Sequence, residues 1–139
     1  MIYPTLISNI ETILQESPKV KDIKKYPATD ITAYPTAIFF PTEVTNDYAT
    51  NQENFKVYTF KLYLVAGAKQ TNLETLFNDV MPDVVDDVIS KFDENWSDTV
   101  DGHRSWLTVE SGTWTVSEQT HGIEVTAELT LRIRLLTDI

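Results

Sequence analysis

The sequence predicts an α+β fold, with an antiparallel sheet, open to a mixed edge, packed against one short N-terminal helix and one long, kinked, acidic helix. Three observations carry that reading. Ile123, Val125, Ala127, Leu129, Leu131, Ile133 and Leu135 alternate with Glu124, Thr126, Glu128, Thr130, Arg132 and Arg134, the period of a half-buried antiparallel strand. Leu73, Leu76, Phe77, Val80, Met81, Val84, Val85, Val88, Ile89, Phe92 and Trp96 recur instead at helical spacing. The length of 139 residues, with 42% hydrophobic and 11% aromatic content, suits one packed core, so a single domain over residues 1–139 is expected.

Each element has its own local reason. Pro4 fits the first turn of a helix, and Leu6, Ile7, Ile10, Ile13 and Leu14 continue it until Ser17-Pro18 stops the pattern. Lys19 to Tyr26 fits neither period and reads as an edge strand or an extended loop. Ala37-Ile38-Phe39-Phe40 reads as a short strand punctuated by Pro35 and Pro41, followed by a polar stretch from Thr45 to Asn54.

From Phe55 to Val65 both faces are partly apolar, which predicts a strand covered on both sides. Gly67 and Asn72 close that strand and offer a cap to the long helix. Pro82 lies outside the helix's apolar arc. An interior proline costs about 3 kcal/mol, and each buried Leu, Val or Phe returns roughly 1.5 to 3, so one kinked helix running to Trp96 is expected. Ser97 to Ser105 is polar and reads as a loop, Trp106–Val109 and Trp114–Val116 as strand pieces around Ser111-Gly112, and Thr120-His121-Gly122 as a turn.

Composition narrows the function. The chain has no cysteine, which removes disulfides, thiol catalysis and thiolate metal sites. It shows no signal-peptide pattern and no apolar run near the roughly 18 residues of a membrane span, so a soluble, unprocessed protein that avoids membranes is expected. Asn95-Trp96-Ser97 matches a glycosylation sequon, a coincidence without a secretory signal. A net charge of −10 repels phosphate backbones and argues against tight nucleic-acid binding.

The search for chemistry returns little. His103 and His121 each sit beside a glycine in a loop or turn, and no positioning motif joins either to Ser105 or Ser111 as a triad. Asp98, Asp101 and Gly102 lack the ligand sequence of a calcium loop. Trp96, Trp106 and Trp114 fall in helix or strand patterns and read as core or interface. No catalytic, metal or cofactor residue is assigned, no small-molecule substrate is expected, and an enzyme is not.

Charge patterning is more telling. Asp83, Asp86 and Asp87, with Asp79, Asp93 and Glu94 nearby, form an acidic stripe along the long helix, although like charges four residues apart, such as Asp79 and Asp83, destabilise a helix by about 0.2 to 0.5 kcal/mol. Lys19, Lys21, Lys24 and Lys25 cluster elsewhere with only Asp22 between them. If these lysines reach the acidic helix of a neighbouring copy, the contact runs head to tail and can close into a ring. The alternatives are pairing within the chain and a merely solvated face.

The order of helix, strands with a long polar hairpin tip, acidic helix and two closing strands resembles the tail terminator (tail completion, head–tail joining) proteins of long-tailed bacteriophages. The resemblance spans nearly the whole chain. It rests on Pro4 to Glu16, Tyr34-Pro35-Thr36-Ala37-Ile38-Phe39-Phe40, Phe55 to Val65, the helix from Leu73, and Leu131-Arg132-Ile133-Arg134-Leu135. It implies a virion structural protein at the tail–head junction, assembled in the host cytoplasm as a hexameric ring. Such a ring caps the tail tube, ends tube polymerisation, contacts the head connector and lets DNA pass through its lumen.

The polar tip, including Asp47, Tyr48 and Asn51, is the candidate arm toward a neighbour or the tube. Two other readings stay open. One is a connector subunit or tube protein of the same neck or tail. The other is a small α+β enzyme or ligand carrier with Tyr58, Tyr63 or Trp114 lining a pocket.

Overall fold

The computed structural model describes residues 2–28, 31, 33–48, 53–68, 73–119 and 122–138. Helix α1 spans Ile2–Gln15, and strand β1, Asp22–Lys24, lies along the sheet's edge. Strands β2, Thr36–Tyr48, and β3, Glu53–Ala68, form a long hairpin. A short helix α2, Leu73–Thr75, leads through a π-helical segment, Leu76–Val80, into α3, Met81–Glu94. Strands β4, Ser97–Val100, β5, His103–Gln119, and β6, Gly122–Asp138, complete the chain.

The strands form one sheet in the order β1-β2-β3-β6-β5-β4. Among the described residues only the β1–β2 pair is parallel, so the sheet is antiparallel with one mixed edge and the α+β expectation holds. The closing strand takes the centre. Val125, Ala127, Leu129, Leu131, Ile133 and Leu135 are all buried, in register with Ala66, Leu64, Leu62, Phe60, Tyr58 and Lys56 on β3. Leu6, Ile10, Ile13 and Leu14 from α1, with Met81, Val84, Val85, Val88 and Phe92 from α3, join the same cluster. Both helices therefore cover one face of the sheet.

Several expectations change, each for a physical reason. The long helix does not meet Pro82 as a plain kink. The Met81 N–H donates to the Leu76 carbonyl, five residues back, and this wider turn places Pro82 in the first turn of α3, where a missing N–H leaves no ladder bond broken. Trp96 does not continue the helix. Asn95 leaves helical geometry, and the Trp96 side chain is 54% exposed while its carbonyl accepts from the Leu107 N–H at 2.7 Å.

The polar loop expected from Ser97 to Ser105 is instead the β4–β5 hairpin. Asp101 and Gly102 turn it with φ of 50° and 83°, the left-handed pair that matches strand twist in a two-residue hairpin. The two pieces expected around Ser111-Gly112 are one strand, bent where the register shifts between Val109 and Ser111.

Pro41 lies inside β2 and does not end it. It sits at the register shift between Pro41 and Glu43 and beyond the residues that β1 pairs with, the bulge and edge setting in which a strand tolerates proline. The Thr45–Asn54 stretch thus belongs largely to the hairpin strands. Asn72, Thr120 and His121 lie outside the described residues.

The strand from Phe55 to Val65 was expected to be covered on both sides. Among the described residues only the face bearing Tyr58, Phe60, Leu62 and Leu64 carries helices. On the other face Val57 and Val65 are buried by neighbouring side chains, and Thr59, Lys61 and Tyr63 are half-buried.

Tyr58 gives the core a pH dependence. Burial, reinforced by Tyr3, whose ring lies 5.0 Å away edge-on, pushes its phenol above the ordinary tyrosine range. A folded pKa above the unfolded one leaves stability intact below about pH 10 and removes it as pH rises further. Thermal melts across about pH 9 to 11 are expected to fall more steeply for the wild type than for Tyr58→Phe. Equal slopes would show that Tyr58 ionises as easily folded as unfolded.

Candidate functional site

Two charged surfaces emerge, one on each side of the two-layer molecule. The first forms where α1 ends. Ser17 is buried and its hydroxyl donates to Asp87 Oδ2, tying the turn to α3. Lys19 then lies against α3, with Nζ 2.9 Å from Asp83 Oδ2. The Asp83 hydrogen bond and charge, with Asp87 adding, raise the Lys19 pKa, so Lys19 keeps its charge through the neutral range and gives it up only as the pH climbs past the ordinary lysine value.

Pro18, Lys19, Lys21, Pro35, Asp79 and Asp83 line an open groove of about 590 Å³. The groove brings Lys19, Lys21, Asp79 and Asp83 together. The remaining residues singled out in the sequence lie elsewhere. Lys25 pairs with Glu11 at 3.2 Å and Lys24, on β1, with Asp22 at 3.6 Å, while Lys21 Nζ donates to the Pro18 carbonyl at 3.3 Å. The lysine cluster is therefore largely engaged inside its own chain.

Asp79 and Asp86 stay exposed, without an ion-pair partner among the described residues. In the hairpin arm, the Asp47 and Tyr48 backbones pair with Phe55 and Asn54 near the end of β2, and Asn51 lies outside the described residues. Asn54 is buried there, donates to Asn46 Oδ1 at 3.0 Å, and its own Oδ1 has no hydrogen bond among the described residues.

The second surface is the open face of the sheet, which sequence reasoning missed. Trp106 on β5 stands directly across from Arg134 on β6, and Arg134 from Val57 on β3. The Arg134 guanidinium lies 4.6 Å from the centre of the Phe55 ring, and that of Arg104 lies 5.4 Å from the Trp106 ring. Phe55 and Trp106 are themselves 6.1 Å apart. The result is a ladder, Arg104–Trp106–Phe55–Arg134, across three strands. Arg132 beside it pairs with Glu110 at 3.2 Å, and Lys61 pairs with Glu128 at 3.2 Å while donating to Thr130 at 2.9 Å.

The alternation of β6 already placed Arg132 and Arg134 opposite the core. That Phe55 and Trp106 join them depends on strand order, which no local pattern carries.

Elsewhere the residues that could do chemistry are dispersed. Ser105 is buried toward the helices and Ser111 donates to Thr130 at 3.3 Å. His103 opens β5 opposite Val100, and His121 lies outside the described residues. Among the described residues no three or more His, Asp or Glu side chains converge as metal ligands, and no helix is long and apolar enough to cross a membrane. Tyr58 is in the core, Tyr63 stacks on Phe40 at 5.8 Å on the open face, and Trp114 packs toward α3, so these three share no pocket.

Fold and surfaces together define a two-layer α+β fold whose distinctive groups are presented outward. Comparison with solved structures gives this class a concrete counterpart. The chain is similar to one from the virion of a native gene transfer agent particle, with a TM-score of 0.65 and 12% identity, over 99% of this chain and 98% of that one. At that identity the likeness is one of fold. No protein-family model and no curated protein matches the chain.

Proposed function

We propose that this protein is a structural subunit of a phage-like virion, and specifically a tail terminator, a ring-forming protein that caps the tail tube and joins it to the head connector. The observation that carries the reading is the end-to-end likeness of fold to a chain of a gene transfer agent virion. Its element order also resembles that of tail terminators, and both of its charged surfaces face outward.

In this reading the protein works by shape and charge and has no reaction centre. One ring face mimics the next layer of tube, and the other gives the tube subunit nothing to add to. A net charge of −10 lets DNA slide through the lumen without being gripped. The hairpin formed by β2 and β3 is the arm that reaches a neighbour or the tube. The ring is a hexamer, and each copy is one domain.

Electron microscopy of purified tail tubes mixed with the protein tests this. A single layer of added density at one tube end, together with arrested growth when tube subunits are supplied, is the expected result. Density along the tube wall, or unimpeded growth, would assign the protein to another position in the particle.

A further inference from the structure

The open sheet face and the outer line of α3 are complementary in charge, and they lie on opposite sides of one molecule. On α3 and the π-helical segment before it, Asp79, Asp83, Asp86 and Asp93 are exposed at spacings of four, three and seven residues, which sets them in one row. The row stands opposite Met81, Val84, Val85, Val88 and Phe92, the residues facing the sheet. On the far side of that sheet stand Arg104 and Arg134. Both are exposed, and neither has a carboxylate partner among the described residues.

A guanidinium packed on an aromatic ring keeps its N–H groups available at the edge and is held in place by the stack. Its ordering is thus partly complete before any partner arrives. Such a group suits a carboxylate, which it can grip with two parallel hydrogen bonds. Two of them fixed on one rigid sheet favour an acceptor whose carboxylates are also fixed in a row. The exposed face of α3 is such an acceptor, and this chain carries it.

We propose that the Arg104–Trp106–Phe55–Arg134 ladder receives the acidic row of α3 from a second copy of this chain. The inference rests on the assembly reading above and gives its subunit contact particular residues. Because donor and acceptor sit on opposite faces, the contact is head to tail: each copy uses its sheet toward one neighbour and its helix toward the other, as a closed ring requires. Lys19 already occupies Asp83 within the chain, so Asp79, Asp86 and Asp93 are the carboxylates of the row without an ion pair among the described residues, and the first two flank Asp83.

Sedimentation velocity over a range of concentrations, in low and in high salt, tests the contact on the full chain. The wild type is expected to self-associate in low salt and less so in high salt. Arg104→Glu/Arg134→Glu is expected to weaken association by about tenfold or more, and Asp79→Lys/Asp86→Lys alone should do the same. Mixing the two variants restores both contacts, the native Arg104 and Arg134 face meeting the native Asp79 and Asp86 row and the Glu face meeting the Lys row, so they should co-assemble in alternation although neither assembles with itself. This rescue separates a lost contact from a lost fold.

Association unchanged in both variants would overturn the proposal and leave a ring built through other surfaces standing. A wild type monomeric at every concentration in low salt would also overturn it, while the tube-capping experiment would still judge the function. Anisotropy of a labelled double-stranded oligonucleotide supplies the last arm. Binding by the wild type that the arginine variant loses would assign the ladder to phosphate and overturn the carboxylate pairing.

Discussion

Replacing Phe60 with alanine is expected to lower the unfolding free energy by about 3–5 kcal/mol, the range for truncating a buried aromatic side chain. Phe60 is 0% exposed on β3, its ring lies 6.4 Å from that of Phe39 and 6.2 Å from that of Tyr3, and it pairs across the sheet with Leu131. It is therefore enclosed by β2, α1 and β6 together. Backbone pairing fixes the strands on either side, so the walls cannot close over the void, and the cavity term adds to the lost transfer energy.

A domain of this size has a total stability of about 5–15 kcal/mol, so the variant should unfold at a clearly lower urea concentration with an unchanged slope. Phe77→Ala is the control. Its side chain is 36% exposed on the π-helical segment, so a smaller loss is expected. Equal losses at the two sites would contradict the burial of Phe60 against Phe39 and Tyr3.

Leu131→Asp is expected to do more, and to do it in a pH-dependent way. Leu131 is 0% exposed in the central strand, with Phe60 on one side and Val109 on the other. A carboxylate there lies within the apolar cluster, and Lys56, the cation on that face of β3, stands across from Leu135, four residues along β6. Burial raises the carboxyl's folded pKa above its unfolded value of about 3.9, so each pH unit above that costs about 1.4 kcal/mol until the folded pKa is reached. Added to the lost packing, this can exceed the whole stability at neutral pH. The variant should be unfolded at pH 7 by circular dichroism and regain structure as the pH falls toward about 4. A cooperatively folded variant at pH 7 would show that water reaches this position.

The legible part of the fold was the part written in periodicity. The alternation of β6 identified its buried face residue by residue, and the spacing from Leu73 to Phe92 identified the helix that covers it. The misreadings came where a residue's usual meaning was overridden by its neighbours. Pro41 reads as a strand end, yet it falls at a register shift and past the residues paired with β1, a setting in which a strand tolerates proline. Pro82 reads as a kink, yet a shift from four-residue to five-residue pairing at Met81 accommodates it. Ser97 to Ser105 looks like loop because an edge strand facing water needs no apolar alternation, and its hairpin shows only as Asp101-Gly102.

The candidate site divided in the same way. Sequence alone supplied the two charge clusters, and the structure joined Lys19 to Asp83 within one chain, the alternative that linear spacing could not separate from a contact between copies. It offered no sign of the arginine–aromatic ladder, whose members come from residues 55, 104, 106 and 134.

By itself, then, the sequence determined the layer composition, the buried faces, the acidic character and the absence of thiol chemistry, because each depends on residue type or on short-range period. The tertiary structure alone decided which face of the sheet stays open, which charges are already neutralised and which arginines remain available. Those properties depend on strand order and cross-strand register, and both are set by the packing of segments far apart in the chain.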